Sequence, residues 1–472
     1  MYQLIAKTFK GLEQVLAQEL LNLGAEDIST DRRVVYFKGD KALMYKANLH
    51  LRTASRILKP ICSFRAGDTD DLYRQINAIE WDKYLSVNQS FVIDTTVYSE
   101  TFNHSQFITY RVKDAIVDWF NSRYGKRPRI SVSNPDIYLN MHISHDTCTI
   151  SLDSSGESLH KRGWRVEQTE APINEALAAG MLLLAGWHGQ CDLIDPFCGS
   201  GTILIEAALI ALGIPPGIYR NRFAFEKWQD FDPELFQDLY NDDSCEREFK
   251  FHIYGSDKSA KAVKIAERNI KSANLQQYIS LQTCDIKDLQ PPTDFRFQNS
   301  DFRLQNSDFR QPSTLNSQQP STLNSQLSTS LNSQLSTLNL IITNPPYGER
   351  LDTKNIMELY SVFGEALKHR FTGSTAWVIS SDERYLKNMG LKPSARIPLL
   401  NGALDCWFNK YELFEGKRND FVKSKKENGN RPDKFARNNH RQQPFRADNK
   451  HKPHRSNETI RHNSSRRQRD TF

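Results

Sequence analysis

No Cys-x-x-Cys pair occurs in this 472-residue chain, whose seven cysteines (Cys62, Cys148, Cys191, Cys198, Cys245, Cys284 and Cys406) are scattered. That scatter argues against zinc-ribbon and dithiol redox chemistry. An odd count without a secretory leader argues for reduced thiols in a cytosol. The opening stretch, MYQLIAKTFKGLEQVLAQELLNLGAED, is amphipathic and lacks the cationic-then-apolar order of a signal peptide. The twelve histidines lie mostly alone or in the C-terminal tail, so no metal is expected. No apolar run reaches the roughly 18 residues that a spanning helix needs, which argues against a membrane partner. No Gly-Lys-Ser/Thr completes a Walker A loop. A cytoplasmic enzyme or binding protein remains.

The length implies two or three domains. Mean hydropathy is −0.61, polar for a globular protein. Long solvated segments account for this. Residues 416–472 hold 17 Lys+Arg against 6 Asp+Glu, whereas the rest of the chain holds 45 against 50. The excess of positive charge therefore lies in a tail with almost no aliphatic residues, expected to be disordered. Residues 291–338 repeat QNSDFR and QPSTLNSQ motifs and cannot bury enough apolar surface to offset their ordering entropy; they read as a disordered insertion.

Between these segments the pattern is α/β. Residues 2–50 read as strand, helix, strand, helix, with Leu12, Val15, Leu16, Leu20 and Leu23 on one helical face and Gly24 as its stop. Residues 51–160 read as α+β: a strand in SFVIDTTVYS, an amphipathic helix from His104, and two strands around a His145-Asp146 turn. Residues 161–415 alternate strand and helix more regularly. That pattern predicts right-handed βαβ units in an open, mostly parallel sheet.

Four constellations carry chemistry. In LIDPFCGSGTILIEAA a strand ends at Asp195, and Pro196, Cys198, Gly199 and Gly201 lead into a helix at Thr202. The glycines allow a ligand to approach backbone N–H groups at a helix N-terminus. The third glycine of a dinucleotide fingerprint would fall at Leu204, which disfavours NAD. The competing reading is a tight turn without a ligand. Asp257 ends the next strand, where open α/β sheets place ligand contacts. It could accept from both hydroxyls of a ribose, or cap the helix that follows. Asp285, past a third strand, could accept from an adenine amino group or stabilise a turn. Finally, LIITNPPYGERL ends a strand on Asn344-Pro345-Pro346-Tyr347. An exocyclic amine on a base is a poor nucleophile because its lone pair is delocalised. Acceptors on the Asn344 side chain and the Pro345 carbonyl could help localise it, since proline fixes the backbone direction. Tyr347 would offer a face to an unstacked base. The alternative is a rigid strand exit with a packed tyrosine.

The stretches Asp195 to Thr202 and Asn344 to Tyr347 together resemble the class I S-adenosylmethionine-dependent methyltransferases that act on exocyclic amines. With LHKRGWRVEQTEAPINEALAAGMLLLAGW and NPPYGERL, the chain is more closely similar to the bacterial THUMP-containing RNA guanine-N2 methyltransferases of the large-subunit (23S) rRNA type. The resemblance covers roughly residues 1–415 without the insertion. It implies a ferredoxin-like segment (1–50), a THUMP domain (51–160) and a Rossmann-like methyltransferase domain (161–415). It implies S-adenosylmethionine over Gly199 and Gly201, its ribose near Asp257 and its adenine near Asp285. The target amine would lie at Asn344 and Pro345, with Tyr347 on the base.

Three departures stand out. The 291–338 repeat separates two core strands. Residues 213–250 break the usual ~20-residue spacing between the Gly turn and the acidic strand end, which suggests a further insertion. Some relatives continue into a second methyltransferase domain, whereas here only the basic tail follows, so a second activity is not expected.

The expected reaction is in-line attack of guanine N2 on the donor methyl group, helped mainly by placement. No strong base is needed, because the amine becomes acidic as it gains the methyl. RNA must arrive with its base unstacked. Arg111, Lys113, Arg123, Lys126, Arg127 and Arg129 form a basic helix end and loop suited to docking it, although a solvated helix face would look the same. The tail adds salt-sensitive phosphate attraction. A tRNA substrate would need the same pocket. DNA adenine-N6 methylation uses a similar corner, but the N-terminal α+β region argues against DNA. A non-catalytic ribosome-assembly factor is the alternative from another class.

Overall fold

The computed structural model describes residues 1–292, 339–347 and 353–416. Nearly all of the expected disordered stretches 291–338 and 416–472 lies outside the described residues.

The N-terminal half is built on one eight-stranded sheet of order β2-β3-β1-β4-β8-β7-β5-β6. Its elements are β1 (Tyr2–Thr8), α1 (Glu13–Asn22), β2 (Glu26–Asp31), β3 (Val34–Gly39), α2 (Lys41–His50), β4 (Ala54–Arg65), α3 (Thr69–Asn77), β5 (Ser90–Tyr98), α4 (Ser105–Tyr124), β6 (Arg129–Ile130), β7 (Ile137–Ser144) and β8 (Thr147–Asp153). In β1 the alternate residues Leu4, Ala6 and Thr8 point into the core, as a half-buried strand requires. Leu16 and Leu20 of α1, with Leu12 before it, are fully buried at four-residue spacing, and Gly24 ends the segment at φ +87°. The Asp40 carboxylate caps α2 by accepting from Leu43 N at 2.8 Å. The His145-Asp146 turn joins β7 to β8, with His145 at φ +56°.

Two readings of this half change. Residues 2–50 contain an additional strand, β2, whose sequence EDISTD is almost wholly exposed at the sheet edge. A polar edge strand shows no burial period to read. Nor does the sheet divide at residue 50. β4 pairs with β1 through Ala54–Leu58 and with β8 through Leu58–Arg65, so one 12-residue strand closes the first segment and opens the second.

The second half comprises α5 (Glu175–Leu184), β9 (Asp192–Asp195), α6 (Thr202–Leu212), α7 (Pro233–Tyr240), β10 (Ile253–Asp257), α8 (Ala260–Ser272), β11 (Ile279–Thr283), β12 (Asn339–Thr343), α9 (Thr353–Arg370), β13 (Thr375–Ser380), α10 (Glu383–Asn388), β14 (Ala395–Asn401) and β15 (Leu404–Glu412). Its sheet runs β11-β10-β9-β12-β13-β15-β14. The first five strands are parallel, and β15 is antiparallel to both its neighbours. The central strands are apolar because helices cover both faces. From β9 the chain adds β10 and β11 on one side, then β12 and β13 on the other. The switch point falls between β9 and β12, where open α/β sheets leave a ligand crevice at the carboxyl ends.

The long 213–250 excursion is a strap. It leaves the second sheet after α6 and lays Phe223, Phe225, Trp228 and Phe236 into the core of the N-terminal half. The Phe225 ring stacks on Tyr45 of α2 with centroids 4.4 Å apart, and on Phe223 at 5.2 Å. Arg222 donates to Asn134, and the Lys227 ammonium pairs with Asp136 at 2.5 Å. A buried ion pair ties the halves a second time. Arg162, in the linker, pairs with Glu206 of α6 at 3.0 Å and donates to the Arg52 carbonyl at 2.6 Å.

Candidate active site

The geometry rests on two strand tips. β12 lies beside β9 in parallel register, with Leu340 opposite Leu193 and Ile341 opposite Ile194. At the tips the Thr343 hydroxyl donates to Asp195 Oδ1 at 2.6 Å, within a fully buried setting. The Pro196–Thr202 turn and the Asn344–Tyr347 corner therefore leave adjacent strands on the same edge. Burial, with the Asp257 carboxylate adding to it, pushes the Asp195 carboxyl up to about 7 despite the bonds from Thr343 and Phe197 N.

The glycines play different parts. Gly199 has φ +54°, and a Cβ placed on it would meet nothing within 4 Å. Its side faces open space, the cradle a ligand needs. Gly201 has φ +81°, but a Cβ there would lie 3.2 Å from Ala266 Cβ. Its bareness lets α6 start against α8 and does not clear a path for a ligand. Cys198 is buried, and its N–H donates to the Ser256 carbonyl at 2.9 Å, while Gly201 N returns to the Cys198 carbonyl at 2.8 Å. Pro196 and Thr202 are buried. Asp257 serves both turns: one carboxylate oxygen accepts from Gly199 N at 3.1 Å and the other from Ser259 N at 2.9 Å. The helix cap itself is Ser259. Asp285 is exposed past β11, and its Oδ1 accepts from Lys287 N at 3.0 Å.

At the corner, Asn344 Oδ1 is buried and has no hydrogen-bond partner among the described residues. A buried acceptor left unpaired costs about 1–3 kcal/mol unless something else donates to it. Pro345 is buried beside it. Tyr347 is half-buried between two apolar clusters. Its hydroxyl accepts from Asn401 Nδ2 at 2.6 Å, at the end of β14. Burial raises its phenol well above the ordinary range, so it stays protonated.

Three supporting residues escaped the sequence reading. Asn401 anchors Tyr347 across 54 positions. Arg165 pairs with Glu175 at 2.7 Å and donates to the hydroxyls of Ser200 at 3.0 Å and Thr202 at 2.9 Å. Asn269 of α8 is fully buried and donates to the Ser200 carbonyl at 3.0 Å. Arg165 stands in the GWRVEQ stretch that helped carry the family resemblance, but nothing local gave it a role, and Asn269 looks like one more helix residue. No signal short of the fold would have found them.

The six basic residues divide. Arg111 pairs with Asp70 and stacks on Tyr73, joining α4 to α3, and Lys113 pairs with Asp114 at 2.8 Å. The Arg123 guanidinium lies over the Trp119 ring at 4.3 Å. Arg123, Lys126, Arg127 and Arg129 are exposed, and Arg129 lies on the edge strand β6. Among the described residues no group of three or more His, Cys, Asp or Glu could hold a metal, and no helix is long and apolar enough to cross a membrane.

A seven-stranded sheet of this order, with a Gly turn at β9 facing an Asn-Pro-Pro-Tyr exit at β12, defines a class I methyltransferase domain. Residues 162–300 and 315–410 match the RMKL-like methyltransferase domain, residues 3–58 the RlmL ferredoxin-like domain, and residues 66–153 the THUMP domain. A putative RNA methyltransferase of Synechocystis, slr0064, is 36% identical over 87% of this chain and 96% of its own. The chain belongs to the THUMP-containing RMKL-like methyltransferase family. The ribosomal RNA large subunit methyltransferase K/L of Syntrophotalea carbinolica is 35% identical over 86% of this chain, which spans only 53% of that protein's length. Among solved structures, a possible methylase from Clostridium difficile 630 superposes with a TM-score of 0.72 at 31% identity, covering 88% of this chain and 99% of that one. The putative methyltransferase SMU.472, solved with SAH, gives 0.70 at 27%, with the same coverage.

Proposed function

We propose that this chain methylates the exocyclic N2 amine of a guanosine in 23S rRNA, with S-adenosylmethionine as donor. The observation that carries this is the buried Asn344 Oδ1, unpartnered among the described residues, at the tip of β12, one strand from the turn that opens over Gly199. An amine N–H is what that oxygen lacks. Asp257 has a carboxylate at the second strand end for a ribose, and exposed Asp285 stands at the third. S-adenosylmethionine, when bound, supplies an electrophilic methyl group. Asn344 Oδ1 and the Pro345 carbonyl accept from the amine and help localise its lone pair, and Tyr347, held by Asn401, gives the base a fixed wall. The amine sheds its proton to solvent as it gains positive charge, so no dedicated base is assigned. Arg123, Lys126, Arg127 and Arg129 are the residues we assign to phosphate contact; Arg111 and Lys113 are engaged within the module.

The test is mass mapping of modified guanosines in rRNA and tRNA from a strain lacking the gene, rescued with wild type or with Asn344→Ala. Loss of one N2-methylguanosine from 23S rRNA, restored by wild type alone, is the expected result. Unchanged modification in both RNA pools overturns the proposal, and a loss confined to tRNA overturns its substrate.

A further inference from the structure

The Gly turn is held from below by the segment that connects the two halves. Asn269 spends its whole amide on this: Nδ2 donates to the carbonyls of Ser200 (3.0 Å) and Glu167 (2.9 Å), while Oδ1 accepts from Val166 N (3.0 Å) and Glu167 N (3.1 Å). Arg165 comes from the same segment and reaches Ser200 Oγ and Thr202 Oγ1 while its Nε is fixed by Glu175. Ala266, one turn before Asn269 on α8, is the residue against which Gly201 packs. Three independent contacts thus fix Ser200, Gly201 and Thr202, leaving the other side of the turn, at Gly199, open.

We propose that Arg165 and Asn269 are positioning residues of the donor site, so that the connecting segment 165–167 sets donor affinity without touching the donor. The proposal rests on reading the Gly turn as that site. All of these groups are buried or half-buried and mutually satisfied, and removing one member strands the others without partners. A turn freed of the clamp samples other shapes. Donor binding then bears the cost of restoring the one it needs. Arg165→Lys keeps the charge but replaces a planar fork with a single ammonium, which cannot serve Glu175, Ser200 and Thr202 together.

The experiment is calorimetric titration of S-adenosylhomocysteine into the full-length protein, well below its melting temperature, for wild type, Arg165→Lys, Asn269→Ala and Arg56→Lys. Arg56→Lys is the stability control: it weakens the Arg56–Asp153 pair inside the N-terminal sheet, away from the turn. Arg165→Lys and Asn269→Ala are expected to bind about tenfold more weakly, the scale of one net hydrogen bond. Donor KM should rise in parallel, with kcat at saturating donor nearly unchanged. Arg56→Lys should melt earlier yet bind as wild type. Should Asn269→Ala fail to fold, Arg165→Lys decides alone. Clamp variants that bind no more weakly than Arg56→Lys, or that lose kcat with KM unchanged, overturn the proposal. Wild type that binds no S-adenosylhomocysteine overturns the donor-site reading itself.

Discussion

Replacing Asn344 by alanine should separate activity from stability. Most buried polar groups are satisfied, so their removal costs stability. Asn344 Oδ1 has no partner among the described residues. Its burial already counts against the native state by about 1–3 kcal/mol, and truncation relieves that penalty while losing some packing. Thermal stability should stay level or rise slightly. Activity should behave differently. As the amine attacks, positive charge develops on nitrogen and its N–H bonds to the Asn344 and Pro345 oxygens strengthen. Loss of a preorganised partner for developing charge costs roughly 10²–10³-fold, about 3–4 kcal/mol of transition-state stabilisation. Single-turnover methyl transfer to unmodified rRNA, read beside a melting curve of the same preparation, tests both halves. A melting temperature that falls together with the rate would make Asn344 a structural residue. A rate within threefold of wild type would refute the acceptor argument altogether.

The two glycines of the turn should respond oppositely. Gly199→Ala meets open space, so it should cost only the ~1–2 kcal/mol of a left-handed alanine while sharply weakening S-adenosylhomocysteine binding. Gly201→Ala has to displace Ala266, so its main effect should be on the melting temperature. Asp195 should make stability pH-dependent. Its folded-state carboxyl lies near 7, above the unfolded value near 4, so the native state binds the extra proton and loses stability as pH rises from about 4 to 7. Asp195→Asn should flatten denaturation midpoints over that window, by an amount on the order of a few kcal/mol, and an unchanged pH slope would contradict the assignment. Phe225→Ala should cost about 3–5 kcal/mol and lower the unfolding transition of the whole chain; a separate early transition of the strap alone would show that it is not integral to the N-terminal core.

The two turns of the candidate site were legible because each strand tip combines a short apolar run with residues that cannot continue it. Asp195 to Thr202 and Asn344 to Tyr347 announce themselves in this way. Pairing could not be read from either stretch alone. Only the register of β12 on β9 and the Thr343–Asp195 bond bring them together. Asp257 stood between ribose acceptor and helix cap; the cap proved to be Ser259, while Asp257 ties both turns together with its two oxygens. Partners distant in sequence stayed hidden, as with Asn401 and Tyr347 or Asn269 and Ser200. β2 was missed because an exposed edge strand carries no apolar period. The basic residues on α4 shared one local composition, and only the packing of α3 showed that Arg111 is already occupied.

The strap has a consequence for anyone wishing to transplant this catalytic half. A chimaera that kept residues 161–415 and exchanged the N-terminal half for another RNA-binding module would carry Phe223, Phe225 and Trp228 with it and deprive them of Tyr45 and its neighbours. Those rings would then lie against a foreign surface or in water, an invitation to aggregation. The portable unit is therefore wider than the chemistry needs: reprogramming the target means regrafting the strap and its receiving groove together, or redesigning both.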